Sequence, residues 1–497
     1  MKFYITLTVL LLMLFSGQTY AHKHKAHSHS KTTHQKSKSS HQKSKQSHHS
    51  HSRAVTEKSF SLLSPDGKIE IKITDDPDMK FGVFYQGKEI ITPSPISMTF
   101  DNGTTAGIAP KFSRAEESEN KEYIDPVVKN NDIRIEDSFN QLTFYSKANY
   151  NIIFRAYNDG IAYRFATAFT EPVKVLGEKA TFSFPSDLKI CFPTPDQLYS
   201  RKKEAFNYTS LSTIRRNASS VPALIRVSDS LKVMISEADV EDYPEMLWGA
   251  NDSIPFSLHG NFTPYPTDTK QITNPNTSAP QNSVFIAQTK GTRQYPWRMI
   301  IISDRGTLVP ESDMDFKLSE AEQIEDVSWI KTGEITYDLK NELQTYPIDF
   351  KSGVTDASCK KYIDAASANG IQCILLNEGW YNLNSNSGIA PSVNIEELTG
   401  YAKQKNVNLI AWVSWESIKD NLSSTLDQFR KWGIKGIKID RIDRNDQWMV
   451  NYYQKIVNEA AKQELMVGFH GAYKPTGIHR TYPNIINIEE IPLSNKN

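Results

Sequence analysis

The sequence predicts two fold classes in one chain, a large antiparallel β-sandwich followed by a (β/α)8 TIM-type barrel. From Ser59 to Val327, short alternating segments are separated by turn residues, and no long amphipathic helical pattern interrupts them. After Ile330 strands alternate with helices, which is typical of a parallel sheet with right-handed crossovers. A doubly wound sheet is disfavoured because no glycine-rich phosphate turn follows the first of these strands.

The first 56 residues are predicted to join neither domain. Residues 1–21 combine an early lysine, an apolar run and a small final residue, which predicts a signal peptide and export to the periplasm or outside the cell. Residues 22–56 form a linker rich in His, Lys and Ser that holds nine of the twelve histidines. This composition predicts a disordered tether, with loose capture of zinc or copper by clustered histidines as the alternative. No later segment is long and apolar enough to span a membrane.

The formal net charge of zero conceals an uneven distribution. Residues 22–53 carry eight basic side chains and no acidic one. Without these eight and Lys2, 48 basic side chains stand against 57 acidic ones, a net charge of −9. A mildly acidic globular part argues against nucleic acid as the main partner. The three cysteines offer no disulfide framework, so the fold must depend on its hydrophobic core.

The sandwich domain is predicted over residues 57–327. Within it, Lys68–Ile73 alternates polar and apolar side chains, and Phe81–Ile91 places a Gln-Gly turn between two apolar runs. Asn151–Thr167 follows the same pattern around the triplet 158–160, Asn-Asp-Gly. Asp-Gly turns between alternating runs are a strong hairpin signal, so an antiparallel arrangement is expected.

The barrel domain is predicted over residues 328–497, with six strands rather than eight. In chain order the predicted strands are Glu334–Asp338, Ile371–Trp380, Val407–Trp415, Gly433–Asp440, Leu465–Gly471 and Asn484–Glu490. Helices are predicted between the first five strands, near residues 356–368, 394–405, 422–432 and 446–462. A whole barrel of this type needs about 250 residues, so the barrel is expected to be incomplete at its C-terminus.

The predicted strands of the barrel end on polar or aromatic side chains, which a TIM barrel gathers at its carboxyl-terminal face. These side chains are Asp338, Asn377 and Glu378, Trp415 and Glu416, Asp440, His470, and Glu489. The tryptophans that flank them are Trp380, Trp412, Trp415 and Trp448. Hydrolysis of a glycoside needs one carboxyl group to protonate the leaving oxygen and a second to attack the sugar or activate water. Since aromatic rings also supply stacking faces for a pyranose, the pattern indicates a sugar-cleaving site.

Four long motifs make this indication specific. They are RAYNDGIAYRF (Arg155–Phe165), NEGWY (Asn377–Tyr381), WGIKGIKIDRIDRNDQWMVNYY (Trp432–Tyr453) and FHGAYKPTGIHRTYPN (Phe469–Asn484). In these motifs the chain resembles glycoside hydrolase family 97, the calcium-dependent α-glucosidases and α-galactosidases of exported bacterial polysaccharide-degrading systems. The resemblance implies a hydrolase that acts on the terminal α-linked sugar of an oligosaccharide or galactoside.

One dipeptide separates the two branches of that family. The inverting branch has His-Glu where this chain has His470-Gly471, as the retaining α-galactosidase-type branch does. The resemblance therefore implies that Asp440 is the nucleophile, whereas the alternative is an aspartate that caps a helix or pairs with Arg441 and Arg444. The residues expected to bind substrate are Asp338, Asn377, Glu378, Trp380, Trp415 and His470.

The resemblance also implies a calcium ion, held by glutamates of both domains that correspond here to Glu204 and Glu489. Calcium takes several oxygen ligands, although Glu204 could instead be an ordinary solvated side chain. The family's acid/base position falls on Asn495. An amide cannot deliver a proton, so no acid/base residue is identified.

Two explanations for Asn495 are a truncated chain and a divergent paralogue that binds carbohydrate without cleaving it. A histidine-rich, exported metal-binding protein is the third alternative, and it predicts metal binding that disappears when residues 22–53 are deleted. The sequence does not indicate an oligomeric state.

Overall fold

The computed structural model describes most of the chain beyond its N-terminal segment. The described residues are 51–53, 59–128, 134–192, 207–214, 219–220, 222–251, 253–267, 284–305, 312–336, 355–377, 379–381, 389–440, 444–471 and 476–489. They all belong to one compact unit, His48–Asn497. The predicted signal peptide and most of the predicted linker lie outside the described residues. The described part of that linker, His51–Arg53, is a strand paired with residues 115–117. The disordered tether predicted to run to residue 56 therefore gives way to the sandwich sheet earlier than expected. Within the described residues, no helix is both long enough and apolar enough to cross a membrane.

The part before residue 306 is built from antiparallel strands, as the hairpin signals predict. In chain order the described strands are β1 (His51–Arg53), β2 (Ser59–Leu63), β3 (Ile69–Thr74), β4 (Lys80–Tyr85), β5 (Lys88–Phe100), β6 (Thr105–Ala106), β7 (Phe112–Ile124), β8 (Ile135–Ser146), β9 (Tyr150–Tyr157), β10 (Gly160–Ala168), β11 (Val173–Ser183), β12 (Lys189–Phe192), β13 (Asn207–Ser210), β14 (Ser219–Ser220), β15 (Ala223–Arg226), β16 (Lys232–Ala238), β17 (Met246–Ala250), β18 (Ser257–Phe262), β19 (Ala287–Thr289), β20 (Thr292–Gln294) and β21 (Trp297–Ser303). A 3₁₀ turn spans Leu211–Thr213.

These strands form two sheets. Hydrogen-bonded neighbours in the first sheet follow the order β1, β7, β8, β9, β10, β21, β16, β15, β12, β13, with β20 beside β10. In the second sheet the order is β14, β17, β18, β11, β5, β4, β3, β2, with β19 beside β11 and β6 beside β5. The sheets share one hydrophobic core, in which Phe81 of the second sheet lies 5.3 Å from the ring of Tyr163 in the first. The predicted β-sandwich is therefore confirmed as a large antiparallel region.

The predicted hairpins occur where the turn residues place them. Gln86 and Gly87 join β4 to β5, and both have positive φ, 50° and 79°, as a two-residue hairpin turn requires. Asn158 and Asp159 join β9 to β10, and β10 starts at Gly160. A Cβ atom at residue 160 would lie 2.2 Å from the carbonyl oxygen of Ile300 on the paired strand. Glycine is therefore needed there for β10 to approach β21.

The part after residue 330 is a six-stranded parallel sheet in its described residues, with strands in sequence order. The strands are β22 (Ile335–Thr336), β23 (Cys373–Leu376), β24 (Asn408–Ser414), β25 (Gly436–Asp440), β26 (Met466–His470) and β27 (Ile485–Glu489). The helices of the described residues are α1 (Met314–Leu318), α2 (Asp356–Ala368), α3 (Ile395–Gln404), α4 (Trp415–Ile418), α5 (Leu422–Trp432) and α6 (Gln447–Lys462).

The helix boundaries follow from local capping chemistry. The side chains of Thr355, Asn394 and Asp446 each accept a hydrogen bond from the backbone N–H three residues later, at the starts of α2, α3 and α6. Helix α5 ends at Gly433, whose φ of 88° is the left-handed conformation that favours glycine. The predicted strand over 433–440 therefore begins later, at Gly436. The predicted strand over 371–380 is also too long, since β23 ends at Leu376.

The two faces of the parallel sheet have different surroundings. One face packs against the helices through a core that includes Ile374, Ile437 and Phe429. The other face lines a cavity of about 180 Å³ with Leu375 and Lys438 among its lining residues. This arrangement of helices outside and side chains inside is that of a curled half-barrel sheet.

The last strand pairing contains a β-bulge. Val467 pairs with Ile485, but Gly468 pairs with Asn487 and His470 pairs with Glu489. One residue, Ile486, is therefore extra on β27. The bulge brings Glu489 into backbone register with the last residue of β26.

The sandwich contacts the segments that follow β25 and β26. Nε2 of Gln447, in the first turn of α6, donates to Oδ1 of Asp242 over 2.7 Å. Thr263 donates through its hydroxyl to Oδ1 of Asn445 over 2.7 Å. Val240, fully buried, belongs to the same core as the helices around the parallel sheet. The antiparallel region thereby helps to fix the loops at the carboxyl ends of the parallel strands.

Candidate active site

The side chains of Asp440, His470 and Trp412 meet at the carboxyl ends of three neighbouring parallel strands. Nδ1 of His470 lies 2.7 Å from Oδ1 of Asp440, and Nε1 of Trp412 donates to Oδ2 of the same carboxylate over 3.1 Å. The Asp440 side chain is 14% exposed and that of His470 is 19% exposed. A carboxylate held by two N–H groups is thus still within reach of a small molecule.

The pairing register of the sheet explains why these side chains meet. Trp412 pairs with Lys438, and Ser414 pairs with Asp440, across β24 and β25. Side chains two residues apart on a strand share a face, so Asp440 lies on the same face as Lys438, which lines the cavity. In β25, Ile437 and Ile439 therefore pack on the helix side, and Asp440 faces the concave side.

Trp412 is held on several sides. Its backbone carbonyl accepts a hydrogen bond from Nε1 of Trp380 over 2.9 Å. Nζ of Lys438 lies 4.7 Å from the centre of its ring, a cation–π contact. The imidazole of His470 packs edge-on at 5.7 Å between ring centroids. Sequence reasoning placed Trp412 only among the flanking aromatic residues, although its position two residues before the end of β24 could have indicated the concave face.

The structure corrects the expected role of two tryptophans. Trp380 and Trp415 are both 0% exposed, so neither offers an open face on which a sugar could stack. Trp380 packs against Phe429, with ring centroids 5.4 Å apart, and Trp415 packs against Tyr452 at 5.8 Å. Trp415 is also the first residue of α4 rather than the last residue of a strand. Both indoles belong to the core between the sheet and its helices.

The start of α6 bears on the alternative that Asp440 caps a helix, because a different aspartate, Asp446, occupies the capping position. Oδ1 of Asp446 accepts the hydrogen bond from the N–H of Met449 at the start of α6, and Arg444 donates to Oδ2 of Asp446 over 2.8 Å. Asp446 therefore caps this helix. Arg441 lies outside the described residues.

The other predicted site residues are only partly described. Asn377 follows β23 directly and is partly buried. Asp338, Glu378, Glu204 and Asn495 lie outside the described residues, so their predicted roles stay predictions. Glu489 is described only through its backbone, in register with His470. Among the described side chains, no cluster of three or more His, Cys, Asp or Glu could hold a metal ion.

A second charged cluster lies where the sandwich meets the parallel sheet. Arg164 and Asp239 approach to 3.6 Å, and both are about nine-tenths buried. Burial raises the pKa of Asp239 to about 6. Burial, and after it the charges of Asp239 and Glu320, raises the pKa of Glu241 to about 7. Within the described residues, this joint therefore contains carboxyl groups that change charge close to neutral pH.

A third cluster lies inside the sandwich. Arg298 donates two hydrogen bonds of 2.7 Å to Glu178, and a further one of 2.5 Å to Glu237. All three side chains are at most 1% exposed. The hydroxyl of Tyr243 donates to Glu178 over 2.9 Å. The set is internally paired and fully buried, so it is structural, in contrast to the partly exposed Asp440.

The chemistry that the site can perform follows from its contacts. An ionised carboxylate only accepts hydrogen bonds, so the His470 nitrogen that faces Asp440 carries a proton. The two contacts fix the plane of the carboxylate. Such a group can act as a nucleophile or can stabilise a positive charge that develops in front of it.

Comparisons with known proteins agree with this architecture. Residues 335–491 match the family model described as glycoside hydrolase 97, and residues 62–321 match the one described as glycosyl-hydrolase 97 N-terminal. A retaining alpha-galactosidase of Bacteroides thetaiotaomicron is 32% identical over 450 residues, which are 88% of this chain and 68% of that protein. A probable retaining alpha-galactosidase of Streptomyces bingchenggensis is 24% identical, over 86% of this chain and 64% of that protein.

Solved structures show the same fold. A glycoside hydrolase family 97 enzyme of Pseudoalteromonas sp. strain K8, in complex with acarbose, aligns with a TM-score of 0.74 and 21% identity, over 87% of this chain and 69% of that one. A beta-arabinopyranosidase aligns with a TM-score of 0.70 and 21% identity, over 86% of this chain and 69% of that one. At this level of identity the likeness concerns the fold.

Proposed function

Because the chain belongs to glycoside hydrolase family 97, it is a glycosidase, and we propose that it is a retaining one that removes terminal α-linked galactose. The 32% sequence identity to a retaining alpha-galactosidase over most of the chain supports the substrate. The observation that carries the mechanism is the Asp440 carboxylate, partly exposed and held by Trp412 and His470 at the end of β25.

In the first step an oxygen of Asp440 attacks the anomeric carbon of the bound sugar. A bond forms between that oxygen and the carbon, and the glycosidic C–O bond breaks with its electron pair going to the leaving oxygen. The result is a sugar ester of Asp440 with inverted configuration. In the second step water attacks the same carbon, and the ester bond breaks with its electron pair returning to the Asp440 carboxylate. One proton of the attacking water passes to solvent, and the sugar leaves with its original configuration.

This mechanism lacks an identified residue that donates a proton to the leaving oxygen. The family's acid/base position corresponds to Asn495, whose amide is no acid at neutral pH. General-acid assistance worth about 10²–10⁴-fold would then be missing. An aryl galactoside avoids the need, because a nitrophenolate leaves without a proton. We therefore expect activated aryl glycosides to react far faster than alkyl glycosides or oligosaccharides.

Calcium is a proposed cofactor. Glu204 and Glu489 are the residues that would hold it, and a calcium ion would supply positive charge near the sugar. The described side chains do not assemble a ligand set, and no step above depends on the ion. Metal analysis of the purified chain before and after chelation, with thermal unfolding as the readout, tests the proposal independently of activity.

Three further parts of the proposal concern architecture and location. We propose that the parallel sheet belongs to a (β/α)8 barrel, which the helices on one face and the cavity on the other support. We also propose that residues 1–21 direct export and that the part of residues 22–56 ahead of β1 acts as a linker to the sandwich.

The central experiment follows nitrophenolate release from aryl glycosides. The substrates are the 4-nitrophenyl α-D-galactoside, α-D-glucoside and β-L-arabinopyranoside. The last shares the ring configuration of α-D-galactose without its hydroxymethyl group. We expect the galactoside to react fastest, and Asp440→Ala to abolish the reaction. Azide added to Asp440→Ala should restore release and give the β-galactosyl azide, because azide attacks from the face that the carboxylate used.

The controls separate the alternatives. Asp446→Ala removes a nearby carboxylate that caps a helix. It should lower the free energy of unfolding and have little effect on the rate per folded molecule. A chain that binds galactosides in calorimetry but releases no nitrophenolate is a carbohydrate-binding paralogue. A faster reaction with the glucoside or the arabinoside would reassign the sugar and leave the mechanism standing.

A further inference from the structure

The hydrogen bonds around Asp440 carry an inference about residues that do not themselves react. We propose that Trp412 and His470 are positioning residues, which orient the Asp440 carboxylate for attack by each holding one of its oxygens. The inference rests on the proposed function, since it presumes that Asp440 is the nucleophile. It assigns His470 to the carboxylate rather than to the sugar, and it adds Trp412 to the site.

Among the described residues, Trp412 and His470 form a clamp in which each side chain meets a different oxygen of the carboxylate. Nε1 of Trp412 donates to Oδ2 over 3.1 Å, and Nδ1 of His470 lies 2.7 Å from Oδ1. The terminal torsion of an aspartate has a broad energy minimum, so a free carboxylate samples many orientations. Two donors from neighbouring strands restrict that torsion and fix the plane in which the oxygen lone pairs lie.

Each donor is in turn held by its own surroundings. Trp380, fully buried, donates to the carbonyl oxygen of Trp412 over 2.9 Å and so fixes the backbone from which the indole projects. The ammonium group of Lys438 lies 4.7 Å from the centre of the Trp412 ring. The ring of His470 packs edge-on against the same indole at 5.7 Å. The three side chains on β24, β25 and β26 therefore form one packed unit around the carboxylate.

The expected kinetic effect is on the chemical step. A misplaced nucleophile loses the benefit of orientation in the transition state, whereas contacts between the sugar and other residues persist. Loss of one hydrogen bond to a charged group is worth about 10- to 100-fold in rate. We therefore expect kcat to fall while KM changes by less than about threefold.

Substitutions can remove one donor while keeping shape. Trp412→Phe keeps an aromatic ring and removes the N–H group. His470→Ala removes the imidazole, and His470→Asn restores a donor, since the side-chain amide of asparagine occupies nearly the place of Nδ1. We expect Trp412→Phe and His470→Ala to lose about 10- to 100-fold in kcat on 4-nitrophenyl α-galactoside. His470→Asn should recover most of that loss.

Two matched controls remove the same chemical groups elsewhere. Nε1 of Trp329 donates to the carbonyl oxygen of Asp326 over 2.7 Å, so Trp329→Phe deletes an indole hydrogen bond that does not reach Asp440. His259 lies on β18 in the sandwich, and His259→Asn tests the effect of exchanging a histidine. Both variants should keep the rate of the unaltered chain. Thermal unfolding of every variant separates loss of fold from loss of rate.

The outcomes distinguish failure of the inference from failure of the proposed function. If the unaltered chain releases nitrophenolate no faster than Asp440→Ala, both are overturned. If the unaltered chain is active and Trp412→Phe matches it, the clamp alone is overturned. Equal losses in His470→Asn and His470→Ala, or a rise in KM at constant kcat, would also overturn it, because they indicate packing or a sugar contact. Rescue by asparagine with KM unchanged supports the clamp.

Discussion

The backbone N–H of Asp239 donates to the carbonyl oxygen of Thr476 over 2.8 Å, joining the end of a sandwich strand to the segment between β26 and β27. The same segment reaches back through Arg480, whose Nη1 donates to the carbonyl oxygens of Lys317 and Ser319 at the end of α1, over 2.8 and 2.9 Å. The antiparallel region therefore braces the loop that follows His470, and its integrity should matter for the candidate active site.

Asp242 offers a test of a second contact between the antiparallel region and the part that follows it, the contact with α6. Its Oδ1 accepts hydrogen bonds from Gln447 and Asn451 of α6, and its Oδ2 lies 3.1 Å from Arg293. Its φ of 48° is left-handed, a conformation that aspartate tolerates better than alanine. We expect Asp242→Ala to lower the free energy of unfolding by about 1–2 kcal/mol, measured by urea denaturation.

Two variants serve as controls for Asp242→Ala. Asp242→Asn keeps both the oxygen acceptor and the tolerance of positive φ, so it should cost clearly less. Asp229→Ala breaks a surface pair with Arg226, in which Asp229 is 95% exposed, and should be close to neutral. Equal stability of all three variants would show that the contacts of Asp242 with α6 contribute nothing.

Gly477 marks the tightest contact of the same segment. A Cβ atom there would lie 2.1 Å from the carbonyl oxygen of Asp315, and its φ is 78°. Gly67 has a similar φ, 72°, but its Cβ would meet nothing within 4 Å. We expect Gly67→Ala to cost about 1 kcal/mol from backbone strain alone and Gly477→Ala more than about 3 kcal/mol. Thermal unfolding of the pair measures the difference, and similar values would contradict the close approach.

Stability should fall with rising pH through the charged cluster at the joint. Because burial raises the pKa of Glu241 to about 7 and that of Asp239 to about 6, the folded chain keeps protons that the unfolded chain releases. The contribution of these two groups to stability is fully present below the ordinary carboxyl pKa and is lost as pH rises through the raised pKa values. Asp242, Glu320 and Arg293 are the other charged groups acting on Glu241.

Glu241→Gln should remove part of this dependence. Oε1 of Glu241 is buried with no hydrogen-bond partner among the described residues, so the neutral amide avoids a buried charge. We expect the variant to match the unaltered chain at about pH 5 and to be more stable at about pH 8, by on the order of 2 kcal/mol. Glu325→Gln, at an exposed position, is the control. Parallel stability profiles for Glu241→Gln and the unaltered chain would contradict the assignment.

The two buried tryptophans provide a matched pair for packing. Trp380 donates a hydrogen bond to the carbonyl of Trp412, whereas Nε1 of Trp415 is buried without a partner among the described residues. Substitution by Phe removes the same part of the indole in both. Trp380→Phe should therefore cost about 1–2 kcal/mol more than Trp415→Phe, measured by denaturant unfolding. KM for the galactoside should stay constant in Trp415→Phe. A large rise in KM would instead indicate that Trp415 contacts the sugar.

Much of the fold could be predicted because its signals are local. Helix α2 begins and ends at the predicted residues, since Thr355 caps its first turn and its last turn meets Asn369 and Gly370. The hairpin at Gln86-Gly87 follows from positive φ values that glycine favours. The ends of β23 and β24 were harder to predict from the sequence. The chain leaves these strands before Gly379 and at the helical turn of Trp415, and both positions are set by packing with later helices rather than by alternation.

The candidate site could be predicted in part. The position of Asp440 followed from its place at the end of a predicted strand and from the family resemblance. The role of Trp412 did not, because a tryptophan inside an apolar strand has the same sequence pattern whether it packs in a core or donates to a carboxylate. The same limit explains Trp380 and Trp415, whose burial depends on Phe429, Tyr452 and other residues distant in sequence.

The bulge at Ile486 has a consequence for how this sheet tolerates change. Side chains on β27 alternate between the two faces, so the extra residue resets which of them share a face with the end of β26. A deletion of one residue anywhere between Ile485 and Asn487 would invert that parity for the remainder of the strand while leaving its composition nearly unaltered. A change in the length of this segment should therefore disturb the strand more than a substitution that keeps its length.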